Sequence, residues 1–265
     1  MVMNQELADL LERSEIQYMI DRMKAIQSRE GNPEGVEIAR FGGSTAFYSR
    51  TMPWGLFNNV KGTLEAEALD DILEFYRVRE RNFEFQLIPG KTDPQVLKML
   101  AQRGYYQSGF HTTLYGKPRN IDQAPDGDLH IQELKEEEFD TYAEIHCLGT
   151  NLPLEGKPHV AANNRVLFSR PGWRYYLGFY RDTPAAVAVM YVEDDVATFT
   201  FAATLPEFRN KGLQQRLLLA RIHEASLLNC RWVVGQCAFG SASHRNMERA
   251  GLRIGYTRST WTKLH

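Results

Sequence analysis

The chain has 265 residues, 43% of them hydrophobic and 24% charged, with a formal net charge of -2. This is an ordinary globular composition with enough apolar surface for one large or two small cores, and it offers no generally basic face for nucleic acid. No apolar run is long enough to cross a bilayer, and Cys147, Cys230 and Cys237 have neither an even count for pairing nor a metal-ligand spacing; a cytoplasmic protein without metal is expected.

The opening MVMNQELADLLERSEIQYMI scatters acids through a helical pattern, unlike a signal peptide, and residues 3–29 are expected to be helical. Strands follow in GVEIARF and STAFYSR, then a helix over residues 65–81, the strand FEFQLI, a helix over residues 93–103 and the alternating aromatic strand YYQSGFHTTLYG. Residues 118–127 have the Pro, Gly, Asp and Asn content of a linker, which divides the chain into 1–117 and 128–265.

Beyond the linker, LHIQEL reads as a strand and KEEEFDTYAEIHCL as a helix, with a further helix in HVAANNRVLFSR. WRYYLGFYR, AAVAVMYV and VATFTFAA then form an antiparallel meander. The helix that starts near Leu213 is followed by strand RWVVGQC, helix SASHRNMERA and strand LRIGYTRSTWTKL. Both halves end in helix, Gly and β-rich strand, with Gly104 and Gly251 suited to a left-handed position after the helix.

Chemistry concentrates where VATFTFAA hands over to the next helix, in TLPEFRNKGLQQ. A helix start leaves backbone N–H groups unpaired and carries the positive end of the helix dipole, which suits a phosphate. Gly212 permits close approach to the backbone, and Arg209 and Lys211 add positive charge. The absence of Gly-Lys-Ser/Thr argues against a nucleotide hydrolase.

The order meander, Pro206, Arg-x-x-Gly, long helix, strand, short helix, Gly and strand resembles the GCN5-related N-acetyltransferase (GNAT) family. Its cofactor loop is Gln/Arg-x-x-Gly-x-Gly/Ala; Arg209 and Gly212 match, and Gln214 stands where a small residue is usual. The stretch Ser243 to Leu252 is similar to the family's last helix and Gly-Phe, with Leu252 for Phe. The resemblance covers residues 128–265, and the repeated ending makes 1–117 resemble a degenerate second copy, as in tandem members.

The resemblance implies an α/β fold of two mixed, largely antiparallel sheets flanked by helices. It implies acetyl-CoA as cosubstrate and transfer of its acetyl group to a primary amine of a small molecule or protein. Backbone groups of Ala203, Thr204 and Leu205 would meet the pantetheine arm. The amides of Lys211, Gly212, Leu213, Gln214 and Gln215 would hold the diphosphate, with Arg209, Asn210, Ser243 and Asn246 beside it. Met247 occupies the position of the usual Tyr proton donor, and Thr198 that of a Glu found in some members.

Substitutes for them are Tyr256 as proton donor to the departing thiolate, His244 near a helix start as base, and Glu155 in the loop that overhangs the acceptor in the family. Each has an ordinary structural reading: core strand Tyr, surface His, solvated carboxylate. Ser243 reads first as a helix cap. A non-catalytic acyl-CoA-binding or ligand-sensing protein is the alternative, and transfer of a longer acyl group a further one. The acceptor and oligomeric state stay open at this level.

Overall fold

The computed structural model describes residues 3–122 and 127–264. Residues 123–126, inside the expected linker, lie outside the described residues. The chain divides into two compact units, the first running through Thr113 and adding Cys237–Phe239 and the segment from Ile254, the second comprising Leu114–Gln236 and Gly240–Arg253.

The first unit opens with α1 (Gln5–Gln27), capped by Asn4, whose side chain accepts from the Leu7 amide at 2.9 Å. There follow β1 (Glu37–Phe41), β2 (Ser44–Tyr48), β3 (Asn59–Gly62), α2 (Leu69–Arg77), β4 (Glu84–Leu87), α3 (Pro94–Gln102) and β5 (Tyr105–Gly116). The last strand of the chain, β11 (Arg253–Lys263), enters this unit's sheet, whose order is β1-β2-β3-β4-β11-β5. Pairings are antiparallel for β1 with β2, β2 with β3 and β4 with β11, and parallel for β3 with β4 across the α2 crossover. Leu69, Ile72 and Tyr76 of α2 bury the apolar face of that crossover, with the Tyr76 ring stacked on Phe83 at 3.8 Å.

Strand β3 is absent from the periodicity because its sequence, Asn-Val-Lys-Gly, alternates with polar side chains, yet all four residues are buried. Lys61 is tolerated there because its Nζ lies 2.8 Å from Glu15 Oε1 and also meets Gln86. Arg258 of β11 pairs with the same Glu15 carboxylate and lies 3.2 Å from His111 Nδ1. Burial tends to raise the Glu15 carboxyl, but Arg258 and then Lys61 outweigh it and hold it at about 2. Burial, then Arg258, lowers His111 to about 4.

The second unit contains β6 (Leu129–Glu133), α4 (Phe139–Thr150), α5 (Lys157–Phe168), β7 (Trp173–Tyr180), β8 (Thr183–Glu193), β9 (Val196–Thr204), α6 (Leu213–Leu227), β10 (Trp232–Ala238, through Gln236 in this unit) and α7 (Ala242–Arg249). Its sheet order is β10-β9-β8-β7-β6. All pairs are antiparallel except β9 with β10, which the α6 crossover makes parallel. Both units are thus mixed sheets with helices on them, and each contains one parallel strand–helix–strand crossover. Among the described residues no helix is long and apolar enough to cross a membrane, and no group of His, Cys, Asp and Glu is placed to hold a metal.

Candidate active site

The site grows from a strand that loses its neighbour. Parallel pairing of β9 with β10 runs from Val196 opposite Trp232 to Phe199 opposite Gly235 and stops, although β9 continues to Thr204. On its other side β9 stays paired with β8, and the register shifts once: Met190 faces Phe199 and Val189 faces Phe201, leaving Thr200 as the extra residue of a β-bulge. Beyond the bulge, the edge of β9 that faced β10 has no strand partner among the described residues.

Arg221 holds this irregularity. It projects from α6, is only 3% exposed, and its Nη1 donates to the carbonyls of Val189 (3.2 Å) and Phe201 (3.3 Å), while its guanidinium carbon lies 4.6 Å from the Phe199 ring centre. The two carbonyls flank the bulge. Burial lowers Arg221 to about 10, still charged at neutral pH. Arg221 and Gln236 line a cavity of about 120 Å³ together with Thr200, Phe201 and Met247.

At the end of β9 the chain makes a short 3-10 turn, Pro206–Phe208, and then enters α6 through two left-handed residues, Asn210 (φ 62) and Gly212 (φ 89). Gly212 is the N-cap and supplies no side-chain cap, so the first-turn amides of α6 point outward with the positive end of the dipole. A Cβ on Gly212 would be strained at this φ and would stand 3.2 Å from Leu129 Cδ1. The start of α2 in the first unit differs: it lacks a side-chain cap as well, but Asp70 and Asp71 occupy its first turn, which repels an anion from the corresponding place.

A groove of about 550 Å³ opens along β9 and the start of α6. Of the residues expected to meet a cofactor, Ala203, Thr204, Arg209, Asn210, Gly212, Leu213, Gln214, Gln215, Ser243 and Asn246 line it; Leu205 and Lys211 do not. The Leu205 amide donates to Ala185 O at 2.9 Å, and the Lys211 ammonium lies 4.4 Å from the Tyr180 ring centre. Gln214 Nε2 donates to Thr204 Oγ1 at 2.7 Å.

Sequence reading missed Arg245 and Arg249 of α7, which also line the groove. Arg245 Nη1 donates to Gly240 O at 2.7 Å and Arg249 Nη1 to Asn246 Oδ1 at 3.0 Å. With Arg209, whose Nη2 donates to Gly149 O at 3.0 Å, they make three guanidinium groups on a lining that, among the described residues, includes no acidic side chain. Their helical spacing, i and i+4, was the available signal.

The helix cap of α7 is Ser241, not Ser243: its hydroxyl accepts from the His244 amide at 3.1 Å. An N-cap side chain reaches the amide two or three residues on, and Ser243 already lies inside the helix, exposed on the groove. The helix ends on Gly251 (φ 88), where the Leu252 and Gly251 amides return to Met247 O and Glu248 O.

The three side chains considered for proton transfer differ in burial and in the unit that carries them. His244 is buried; its Nδ1 accepts from the Gly240 amide at 2.8 Å and its Nε2 lies 3.8 Å from Glu248 Oε1. Glu155 is exposed on a 3-10 turn before α5. Tyr256 belongs to the first unit, where burial raises its phenol far above the usual range, and it sits beside the Thr113 hydroxyl. Met247 packs its thioether against the Gly235 backbone, so that a Cβ there would fall 2.9 Å from Met247 Cε, and Thr198 is only 1% exposed on β9.

No family sequence model matches the chain, and no curated protein matches it by sequence. Solved structures do. The chain is similar to a conserved protein of unknown function from Staphylococcus epidermidis (TM-score 0.65, 10% identity, 91% of this chain and 98% of that one). It is similar to the same degree to a GCN5-related N-acetyltransferase from Kribbella flavida (TM-score 0.65, 14% identity, 93% and 96%). A tandem GNAT protein from the clavulanic acid biosynthesis pathway matches with a TM-score of 0.58 at 16% identity over 77% of this chain and 74% of that one. The bulged strand that parts from its neighbour, the glycine-started crossover helix and these likenesses agree: the chain has the fold of the GCN5-related N-acetyltransferases, in a two-unit form comparable to a tandem member.

Proposed function

We propose that the second unit is an acyl-CoA-dependent N-acyltransferase that moves an acetyl group from acetyl-CoA to a primary amine, and that the first unit is a degenerate copy without a cofactor loop. The observation that carries this reading is the groove: an unpaired strand edge leads to an uncapped helix start beside three arginines. Those features fit the parts of CoA in order. The free edge of β9 at Ala202 to Thr204 offers peptide groups to an amide-bearing arm, the first-turn amides of α6 suit a diphosphate, and Arg245 and Arg249 suit a further phosphate.

Bound there, acetyl-CoA supplies an activated thioester. The chain's own contribution is to position that thioester at the bulge, where Arg221 fixes the carbonyls of Val189 and Phe201. The acidic helix start of α2 supports assigning cofactor binding to the second unit alone. The division of the chain at residues 118–127 remains part of the same proposal, with β11 entering the first unit's sheet.

A second reading, a non-catalytic acyl-CoA-binding or ligand-sensing protein, is favoured by Met247 and Thr198 at positions that carry proton-transfer groups elsewhere in the family. Release of free thiol from acetyl-CoA in the presence of a panel of primary amines separates the two. Amine-dependent release at a steady rate supports the transferase; binding of CoA without release to any amine supports the sensor.

A further inference from the structure

The cavity of about 120 Å³ beside Arg221 lies where β9 and β10 part. β9 lines it from Phe199, its last residue paired with β10, to Ala202, and β10 lines it with Gln236, the residue after the paired Gly235. The cavity shares Ala202, Gln214, Ser243 and Asn246 with the groove that leads from the start of α6, and all its lining residues belong to the second unit. A pantetheine arm that runs inward from a diphosphate at α6 along β9 therefore brings its thioester end to this cavity.

Among the described residues, Arg221 is the only charged side chain on this lining. Its Nε donates to Leu217 O at 3.1 Å and its Nη1 to the two carbonyls that flank the bulge, all neutral oxygens. Its Nη2 has no hydrogen-bond partner among the described residues. No carboxylate offsets the buried charge: burial lowers Arg221, and the Tyr176 phenol is the group that opposes the shift. A cation held this way costs free energy on folding, and its field is then already in place for negative charge that develops in the cavity. Gln236 Nε2, on the same lining, is also buried and without a partner among the described residues. Two side chains with spare donors on one lining suit an acceptor oxygen.

We infer that Arg221 is a catalytic residue of acyl transfer: its Nη2 donates to the thioester carbonyl oxygen and stabilises the oxyanion that forms there. The inference rests on the transferase reading above. In the step, the amine nitrogen bonds to the carbonyl carbon, and the π pair of the carbonyl moves onto the oxygen held by Arg221. As the carbonyl re-forms, the carbon–sulfur bond breaks with its electron pair on sulfur. The amine's proton is lost to water, and Arg221, charged at neutral pH, keeps its own throughout. The chain's side chains then contribute charge stabilisation rather than proton transfer, in keeping with Met247 on α7 and Thr198 on β9.

Two measurements on the full chain test this. Isotope-edited infrared spectroscopy of acetyl-CoA labelled with ¹³C at the acetyl carbonyl, bound without any amine, reads the polarisation of that bond. The expected result is a bound carbonyl band below its position in free acetyl-CoA for the wild type, returning toward the free position in Arg221→Met. A wild-type band at the free position overturns the inference, even where Arg221→Met does not fold. So does a shift that folded Arg221→Met retains in full, which would leave Arg221 as a brace of the bulge alone. Thiol release from acetyl-CoA with the best amine then compares the two proteins. Arg221→Met is expected to lose about 10²–10³ in kcat, as for removal of one oxyanion donor, with CoA affinity unaltered. If the wild type transfers and folded Arg221→Met stays within about three-fold in kcat, this inference alone falls. If the wild type binds CoA and transfers to no amine, the transferase reading falls and takes it along.

Discussion

Gln214 Nε2 donates to Thr204 Oγ1 across 2.7 Å, tying the first turn of α6 to the last residue of β9. The long side chain at a position where the family's loop carries Gly or Ala is thereby accommodated: its amide is committed to the strand end. Both residues line the groove.

Gln214→Ala is expected to remove this tether, lowering stability by about 1 kcal/mol, the worth of one neutral hydrogen bond, while CoA affinity changes by less than about three-fold. Calorimetric titration with CoA checks it. A ten-fold tightening would mean that the side chain obstructs the cofactor, and a ten-fold loss that it donates to it.

The arginines of α7 should matter more together than Arg209 alone. Exposed charge pairs are each worth about 1 kcal/mol or less, so Arg245→Ala with Arg249→Ala is expected to weaken CoA about ten-fold. Arg209→Ala, whose guanidinium also serves Gly149 O, should cost about three-fold. Raising the salt concentration should shrink both differences; equal affinity of all variants at low salt would remove phosphate contact from these side chains.

Among the groups proposed from sequence for proton transfer, none is expected to dominate. Tyr256→Phe, Glu155→Gln and His244→Ala should each lower kcat only a few-fold, against the about 10²–10⁴ typical of a general acid or base. A thousand-fold loss in one of them, with CoA binding intact, would name a proton-transfer residue in place of that scheme.

Stability should fall on acidification in two overlapping ranges, both originating in the first unit. His111 has a folded value of about 4, below its ordinary 6.5, so the unfolded chain binds its proton first and stability declines as pH drops from about 6.5 toward 4. Glu15, ordinarily 4.5 and held at about 2, stabilises above its unfolded value and loses that contribution between about 4.5 and 2. Thermal melts against pH should show the lower range flattened in Glu15→Gln. That variant should be less stable at neutral pH by about 3–5 kcal/mol, because Lys61 and Arg258 lose a buried partner. An unchanged acid profile in Glu15→Gln would remove Glu15 from the account.

Much of this molecule was legible in sequence because period and punctuation agree with the fold. β5 spans the alternating YYQSGFHTTLYG, and Gly104 and Gly251 take the left-handed conformations expected after their helices. What was hidden has a physical cause in each case. β3 escaped because Lys61 and Asn59 look solvent-facing until Glu15, 46 residues earlier, supplies the buried partner of Lys61. The destination of β11 escaped because alternation marks a strand without saying which sheet receives it; Arg258 meets Glu15 at a separation of 243 residues. At the site, loop and glycine were visible, but the bulge at Thr200 and the bonds from Arg221 to the carbonyls of Val189 and Phe201 join elements distant in sequence, contacts that no local pattern encodes.

Titration of the wild-type protein and Gly212→Val with CoA tests the central claim most directly. The φ of 89 strains any side chain at Gly212 by about 1–2 kcal/mol, and a β-branched side chain also crowds the amides proposed to hold the diphosphate, so circular dichroism must first establish that the variant is folded. The account predicts saturable one-site CoA binding with a raised melting temperature in the wild type, and binding weakened at least ten-fold in folded Gly212→Val. A wild type that CoA neither binds nor stabilises, or a folded variant that binds as well as the wild type, would contradict it.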